Sequence, residues 1–575
     1  MTATMEPAGH LGGSGLDLET LNLMLESLTD FIGAAMDDDR MLELDHEDVC
    51  PEDLVRAMQS EELGVQLVFL PEAYGGMGGG AFDVYRVCER LGYIDIGLAT
   101  SVLATFLGSD PVLVGATEEQ KQEWLGRIAE QGILFAYGAT EPEAGSDLGA
   151  LTTTADPITD DDGNVVKYKI NGRKQWISNG AIADAATILA LTPAGPTWFV
   201  VEKGQEGYSA APPEDKHGIR LSNTAALFLD DVEVPVDRLV GGVEGQGLVQ
   251  AQQVFGYTRV MVAAFGLGGG WAALDRAIPY SVSRIQGGGP LSEKQGYTHK
   301  LIVPHVVKLE AARAYIEETS TRIDSGEGVN GAMNTEGAIA KYLATEGGNA
   351  AAEAAIQAHG GYGYTRPYIV EKIKRDVRIT CIYEGTSEIM EMTIGRDRWQ
   401  HHLKTKGDYY RLMAAESARL HAQNPRVGAG TAALAAEALA GVMAAAQTAR
   451  LTRNQHILFR IGEMAALVEA AASMSRRAAA AAAGTLPDKA DKRFSPETLA
   501  AIARVNAREV ALKVSDDGIR WVVGGVGSAS GGADTDDLAE TLAATLRLNE
   551  VRAAQAGLID DMNQIATAIY ADVQV

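Results

Sequence analysis

Four consecutive positions, Glu384-Gly385-Thr386-Ser387, place a carboxylate, a glycine and two hydroxyls side by side. They follow a short alternating run, Val377 to Ile382, and lead into a helical pattern from Ser387 to Arg398, so Glu384 stands at a junction between elements. A glutamate held between an apolar run and a glycine is partly desolvated. That raises its pKa and suits it to take a proton from carbon. Gly385 allows close approach of backbone to a ligand. Taken alone, a glutamate at a helix start is most often a solvated surface group, so the chemistry depends on what the rest of the chain brings to it.

The elements that must position it read as α+β, mostly α. Leu21, Met24, Leu25, Leu28, Phe31 and Ile32 repeat at helical spacing, Pro51 falls in the first turn of another helix, and helices follow over Ala81 to Leu107 and Glu118 to Glu130. The texture changes at Leu134. Extended runs at 134–139, 165–170, 174–178, 186–191, 198–201, 225–229 and 232–235 are separated by Asp162-Gly, Asn171-Gly and Asn179-Gly turns, which predicts an antiparallel, barrel-like β domain. From Gly247 the helical period returns, with long helices over 247–284, 298–324 and 335–359. The expected division is an N-terminal helical domain over 1–133, the β domain over 134–246, a helical bundle over 247–404 and a C-terminal helical extension over 405–575.

That extension is Ala-rich and echoes the bundle. Ala338-Ile-Ala-Lys341 followed by Gly360-Gly-Tyr-Gly363 is answered by Ala501-Ile-Ala-Arg504 followed by Gly524-Gly-Val-Gly527, with no counterpart of Glu384, so residues 405–575 read as a degenerate duplicate. Gly524 to Gly532, with Ser528 and Ser530, reads as a turn before an acidic stretch.

A net charge of −28 over 575 residues argues against affinity for nucleic acid or anionic membranes. Three cysteines, Cys50, Cys88 and Cys381, without C-x-x-C spacing or a neighbouring His cluster support neither a disulfide framework nor a metal site. No strand-G-x-G-x-x-G-helix unit suggests a nicotinamide site. With no basic and apolar leader and no run of eighteen apolar residues, the expectation is a reducing, cytoplasmic protein without stable membrane insertion.

Tyr383-Glu-Gly-Thr-Ser387, preceded by Gln357-Ala-His-Gly-Gly-Tyr-Gly363, resembles the C-terminal signature of the acyl-CoA dehydrogenases. Leu70-Pro-Glu-Ala-Tyr-Gly-Gly-Met-Gly78 and Thr140-Glu-Pro-Glu-Ala-Gly-Ser-Asp147 match two further patterns of that family, in the same order, over residues 18 to 400. The resemblance implies FAD, an acyl-CoA substrate, an electron-transfer flavoprotein as acceptor, a place in fatty-acid β-oxidation, and Glu384 as the base that removes the α-proton. It makes Tyr137, Thr140, Gly145, Ser146, Trp176 and Ser178 flavin contacts, Trp176 as the aromatic wall. Arg284 would pair with the pyrophosphate and Gln295 with the adenosine half, across a subunit interface; Gln357, Gly360, Gly361 and Thr386 would complete that site. Ser146, Arg259, Tyr383 and Gly385 would meet the substrate. Some members carry the base on the helix opened by Phe255-Gly-Tyr-Thr-Arg259, where this chain has Thr258, which cannot serve.

The sequence departs from the common pattern at Gly287, where many members have an aromatic, and at Glu388, where a glutamine is common. In the family the depth of the acyl pocket follows residue size on the helix matching about 97–107, so small Ala99 with bulky Val102, Leu103 and Phe106 implies, by resemblance, a short to medium, branched or substituted acyl group. Longer members with such a tail are dimers, so the resemblance implies a homodimer with the tail covering bundle faces. An oxidase returning electrons to oxygen and a non-enzymatic assembly or binding protein share the scaffold; intact Glu384, Thr140 and Trp176 argue against the second.

Overall fold

In a computed structural model the chain is described over residues 15–327, 332–526, 532–571 and 573, with backbone only at 254 and 532–536. Two compact units divide it: residues 1–269, 320–337 and 366–380 form the first, and 270–319, 338–365 and 381–575 the second.

The first unit begins with helices. Asp17 accepts from Thr20 N at 2.7 Å to cap Leu18–Ala35, whose Leu21, Leu25, Leu28 and Ile32 are buried. Pro51 lies at the N-cap of Glu52–Met58, one position before the expected first turn. The single helix expected over 81–107 is instead two, Ala81–Ile94 and Ile96–Gly115. Asp95 separates them by capping the second, its carboxylate accepting from Leu98 N at 2.9 Å while pairing with buried Lys372. Asp324 accepts from Ala81 N and Phe82 N at 2.6 and 3.0 Å, satisfying the first orphan donors of Ala81–Ile94. Glu118–Gln131 completes the set.

Seven strands follow: β1 (Phe135–Gly138), β2 (Thr154–Thr159), β3 (Val165–Ser178), β4 (Ala185–Thr192), β5 (Gly195–Glu202), β6 (Tyr208–Ala210) and β7 (Thr224–Pro235). The order is β1-β4-β2-β3-β7-β6, with β5 on β4. The sheet is mixed, correcting the antiparallel expectation. β1 runs parallel to β4, and β2 touches β4 in parallel at Thr154 and Leu191. The expected Asn171-Gly turn is also absent, since β3 passes straight through it. Gly172 marks a close approach instead: a Cβ there would lie 2.3 Å from Thr153 Oγ1, and the pairing with β7 shifts register beside it.

Long helices span Gly247–Ser283, Val303–Arg322 and Asn334–His359. The helix expected over 298–324 is interrupted at Ile302, which caps a short Gln295–Leu301 helix. Residues 377–382 do not extend as their alternation suggests. They are the end of Ile369–Val377 and a 3-10 turn, Arg378–Cys381, before Ser387–Lys404.

The tail is helical and belongs to the second unit. Asp408–Gln423, Ala429–Thr448, Gln455–Ala483, Pro496–Val526 and Leu558–Tyr570 are its main helices. The stripe Ile457, Ile461, Met464 and Val468 is buried. Helices Ser387–Lys404 and Gln455–Ala483 cross on two glycines, where a Cβ on Gly462 would meet Glu391 O at 2.2 Å and one on Gly395 would meet Leu458 O at 2.5 Å. Beneath that crossing, Glu469 accepts from Arg398 Nε and Nη2 at 2.6 and 2.8 Å, from Tyr315 OH at 2.9 Å and from Tyr410 OH at 3.0 Å. A buried carboxylate so fully satisfied keeps its charge, and its pKa is lowered although burial pushes it up.

Of the repeated motif, Ala338–Lys341 and Ala501–Arg504 both lie early on a long helix. Their continuations differ: Gly360, at φ +63°, ends its helix, whereas Gly524 and Gly525 stay helical, and Gly527, Ser528 and Ser530 lie outside the described residues. Two described helices, Ile96–Gly115 and Ala429–Thr448, are long and apolar enough to cross a membrane, and 89% and 61% of their apolar windows are buried within the protein.

Candidate active site

The sequence-predicted residues divide between the units. In the first, Tyr137 lies on β1 opposite Thr187 of β4, its ring 4.8 Å from that of Trp198. Thr140 opens the loop after β1, and its carbonyl accepts from Gln175 N on β3 at 3.0 Å. This bond sets Thr140 against Gln175, next to Trp176 on the strand that ends at Ser178. Between Lys174 and Ile177 the β3–β7 register shifts, and Trp176 sits in that bulge at φ +62° with 61% of its surface exposed. A large aromatic held outward in the left-handed region is strained for a β-strand residue, and such strain gathers at functional positions. Gly145 and Ser146 are exposed on the outer part of the loop, where a Cβ on Gly145 would meet nothing within 4 Å.

A buried strap that the sequence reading did not assign fixes this loop. Glu141, 2% exposed, accepts from Lys174 Nζ at 2.7 Å, Thr152 N at 2.6 Å, Thr152 Oγ1 at 2.7 Å and Thr153 N at 3.0 Å. Burial pushes the Glu141 carboxyl up, but the bonds from Lys174 and Thr153 outweigh it and hold the group at about 2. Burial draws Lys174 down to about 8 against the pull of Glu141. Four donors on one carboxylate favour the charged glutamate. The signal was local: Glu141 lies inside the quoted loop and Lys174 two residues before Trp176.

Arg259 is buried, not presented to solvent. Its guanidinium lies 5.1 Å from the Phe255 ring, and Nη1 donates to Asn334 Oδ1 at 2.5 Å. Thr258 is also buried. A void of about 20 Å³ in the first unit, lined by Phe69, Phe106, Asp110, Tyr257 and Met261 among others, has room for about one water and not for an acyl chain.

In the second unit Glu384 is half-buried at φ +54°, followed by Gly385 at φ +94°. The turn is pinned from beneath by Asn334–His359. Lys341 Nζ donates to Gly385 O at 2.6 Å, Glu346 Oε1 accepts from Ser387 Oγ at 2.5 Å, and Asn349 Nδ2 donates to Cys381 Sγ at 3.1 Å. Thr386 caps Ser387–Lys404, its Oγ1 accepting from Ile389 N at 3.3 Å. Tyr383 and Thr386 are half-buried beside Glu384. The carboxylate therefore stands on a left-handed turn held by three side chains of one helix, a geometry suited to a fixed base.

Arg284 and Gln295 flank an arm that turns back on itself. Strands β8 (Ile285–Gln286) and β9 (Gly289–Pro290) are joined by Gly287 and Gly288 at φ +56° and +82°. Two positive φ values make a tight hairpin that glycine at 287 enters without strain. The arm is brought together with the end of helix Asn334–His359, which carries Gln357, and with the 3-10 turn after it that starts at Gly360 and Gly361. Tyr280 stacks on His359 at 4.3 Å, Tyr297 OH donates to Ala358 O at 3.0 Å, and the Arg284 guanidinium lies 5.6 Å from the Tyr362 ring. Gln357, Gly360 and Gly361 are exposed, as are Tyr362 and Tyr364. Gln295 donates from Nε2 to Asn563 Oδ1 of the tail at 2.9 Å.

Three domain models match in order: "Acyl-CoA dehydrogenase, N-terminal domain" over residues 18–132, the middle domain over 136–232 and the C-terminal domain over 245–398. The chain is similar to an acryloyl-CoA reductase (NADH) of Anaerotignum propionicum, 36% identical over 360 residues, covering 62% of this chain and 88% of that protein. It is similar also to a short-chain specific acyl-CoA dehydrogenase of Megasphaera elsdenii, 35% identical over 61% of this chain and 91% of that one. Among solved structures, the acyl-CoA dehydrogenase complexed with FAD from Bacillus anthracis shares the fold over 97% of this chain and 96% of its own, with a TM-score of 0.79 and 23% identity, so the likeness in fold extends through the tail.

Proposed function

We propose, for a chain that belongs to the acyl-CoA dehydrogenase family, that it removes two hydrogens from Cα and Cβ of a short acyl-CoA thioester to leave a trans-2-enoyl-CoA, and passes the electrons to an electron-transfer flavoprotein. Family proteins are FAD-dependent, and residues of each unit fit that group. Trp176 offers a flat, exposed ring, Thr140 and Ser178 bring hydroxyls from the neighbouring loop and the end of the same strand, and Arg284, Gln357, Gly360 and Gly361 offer a cation and an exposed glycine pair suited to a pyrophosphate and its nucleoside. Bound FAD supplies the hydride acceptor.

The chain's own residues do the rest. Glu384 takes the α-proton, and the left-handed turn held by Lys341 keeps its carboxylate from relaxing into helix. Gly385 and Tyr383 border the thioester, Ser146 meets its phosphates, and Thr386 faces the pyrophosphate. The Glu141–Lys174 strap keeps Thr140 level with Trp176. The observation that carries the reading is that Trp176 and Glu384, the wall and the base named from motif alone, both stand at positive φ, one presented outward from a β-bulge and the other on a turn pinned through Gly385.

Two relatives named as acrylate reductases favour a second reading, the same chemistry run toward the saturated thioester with Glu384 giving back the proton. Buried Val102, Leu103 and Phe106 favour short acyl groups in either direction. Residues 405–575 are read as a worn copy of 247–404, in a cytoplasmic protein.

The test is Glu384→Gln in the FAD-loaded protein across a panel of acyl-CoA lengths. The parent should bleach with short acyl groups and the variant should keep its yellow colour with all of them, because the amide preserves shape but accepts no proton. Normal bleaching of the variant would refute the assignment.

A further inference from the structure

We propose that the last helix of the tail, Leu558–Tyr570, is a positioning element for the cofactor arm, acting through Asn563 on Gln295 and through Tyr570 on Ser281. The inference rests on the reading of residues 284–295 as an arm that holds FAD.

The arm by itself is weak. Its strands are two residues each, Ile285 is 58% exposed, and a Cβ on Gly287 or Gly288 would meet nothing within 4 Å. An isolated hairpin of this size is marginal in water. Among the described residues, Lys294 Nζ to Gly287 O at 3.1 Å and Leu291 N to Arg284 O at 3.0 Å reach across it beyond the strand pairs. Its orientation must come from what grips its two ends.

The tail supplies a grip at each. Before the arm, buried Ser281 has its hydroxyl 3.1 Å from that of Tyr570. After the arm, Gln295 Nε2 donates to Asn563 Oδ1 at 2.9 Å, and the same Asn563 amide faces the His299 ring. Asn563 and Tyr570 are seven residues apart, two helical turns on one face and about 10 Å along the axis. One rigid face thus reaches both ends of the arm.

The helix is itself held from another side. Asp561 accepts from Arg504 Nε at 3.0 Å and pairs with Arg508, and Ile565 is fully buried. Arg504 and Arg508 stand on Pro496–Val526, so the element that reaches the arm is fixed to the core of the tail. With an N–H of Gln295 committed to Asn563, the amide is turned so that Oε1 remains as an acceptor for the adenosine half. A freely rotating Gln295 would spend part of its time flipped.

The experiment is an FAD titration of the full-length apo-protein, followed by flavin fluorescence, on Asn563→Ala, Asn563→Asp, Gln295→Ala and the Asn563→Ala/Gln295→Ala pair. Loss of one neutral hydrogen bond predicts FAD affinity about threefold to tenfold weaker in Asn563→Ala. Asn563→Asp keeps the acceptor and should bind as the parent does. In the Gln295→Ala background Asn563→Ala should add nothing, because its partner is gone. Thermal unfolding of the apo-protein should be unchanged by Asn563→Ala, which separates positioning from a general loss of packing, and Tyr570→Phe should weaken FAD in the same direction. The proposal is overturned if Asn563→Ala leaves affinity unchanged, or weakens it equally with and without Gln295. If Gln295→Ala itself binds FAD like the parent, the assignment of the arm fails, and the proposal with it.

Discussion

Replacing Trp176 by glycine separates the flavin from the fold. At φ +62° a residue with a Cβ carries strain of about 1–2 kcal/mol, which glycine relieves. Against this stand about 1 kcal/mol of added backbone entropy in the unfolded chain and the loss of what cover the ring has. With 61% of its surface exposed, roughly 80 Å² loses contact, worth about 2 kcal/mol at ~25 cal/mol per Å². The net cost is then about 1–2 kcal/mol, well below the ~3–5 kcal/mol of truncating a core tryptophan. Flavin binding should suffer more. An aromatic stack contributes about 1 kcal/mol beyond its buried area, so the variant should bind FAD at least about tenfold more weakly. Urea unfolding of the apo-protein and FAD titration give the two numbers. A stability loss of about 4 kcal/mol with unchanged FAD affinity would show that Trp176 is a packing residue and refute the reasoning.

Arg284→Ala should weaken FAD by about ten- to a hundredfold, the range of one charged hydrogen bond, and retention as tight as the parent's in a desalting assay would remove it from the site. Glu141→Gln leaves Lys174 buried without its anion. Because Glu141 titrates at about 2 in the folded chain against an ordinary 4.5, its contribution, on the order of 3 kcal/mol, is complete above about pH 4.5 and fades as pH falls toward 2. Denaturation curves of parent and variant should therefore converge on acidification; a gap that stays constant from pH 6 to pH 3 would contradict the strap. The full-length protein should scatter light as a homodimer near twice 60.8 kDa. Deleting residues 405–575 should yield tetramers or aggregates, since it uncovers the faces under Ile457, Ile461, Met464 and Val468 and strips buried Arg398 of Glu469. A full-length tetramer would refute the covering role.

What was legible in the sequence was what is local. Helices with a clear apolar stripe, such as Leu18–Ala35, were found by spacing because burial on one face is written at a fixed period. The reading failed where a local signal has two structural outcomes. Asn171-Gly172 has the composition of a hairpin turn, yet the glycine is there to admit Thr153, a contact nineteen residues away in sequence that no turn rule contains. The 377–382 alternation has the period of a strand, but six residues are too few to decide between a strand and the end of a helix. Strand direction was lost for the same reason, because the parallel pairing of β1 with β4 joins residues fifty positions apart, such as Phe135 and Ala185.

The same division runs through the candidate site. The residues proposed to meet a ligand, Thr140, Trp176, Arg284 and Glu384, sit in short motifs and are named from them. Residues that hold those in place, Lys341 beneath Gly385, Lys174 against Glu141 and Asn563 on Gln295, are ordinary polar side chains whose only distinction is the partner across the fold. Arg504 makes the point within the proposed repeat. It occupies the place of Lys341 in the echoed motif, but where Lys341 secures the turn at Gly385, Arg504 secures Asp561 and through it the helix that reaches the arm. On the proposed reading, a tail without a counterpart of Glu384 still serves the site, because the cation at 504 anchors through Asp561 the helix whose Asn563 reaches Gln295.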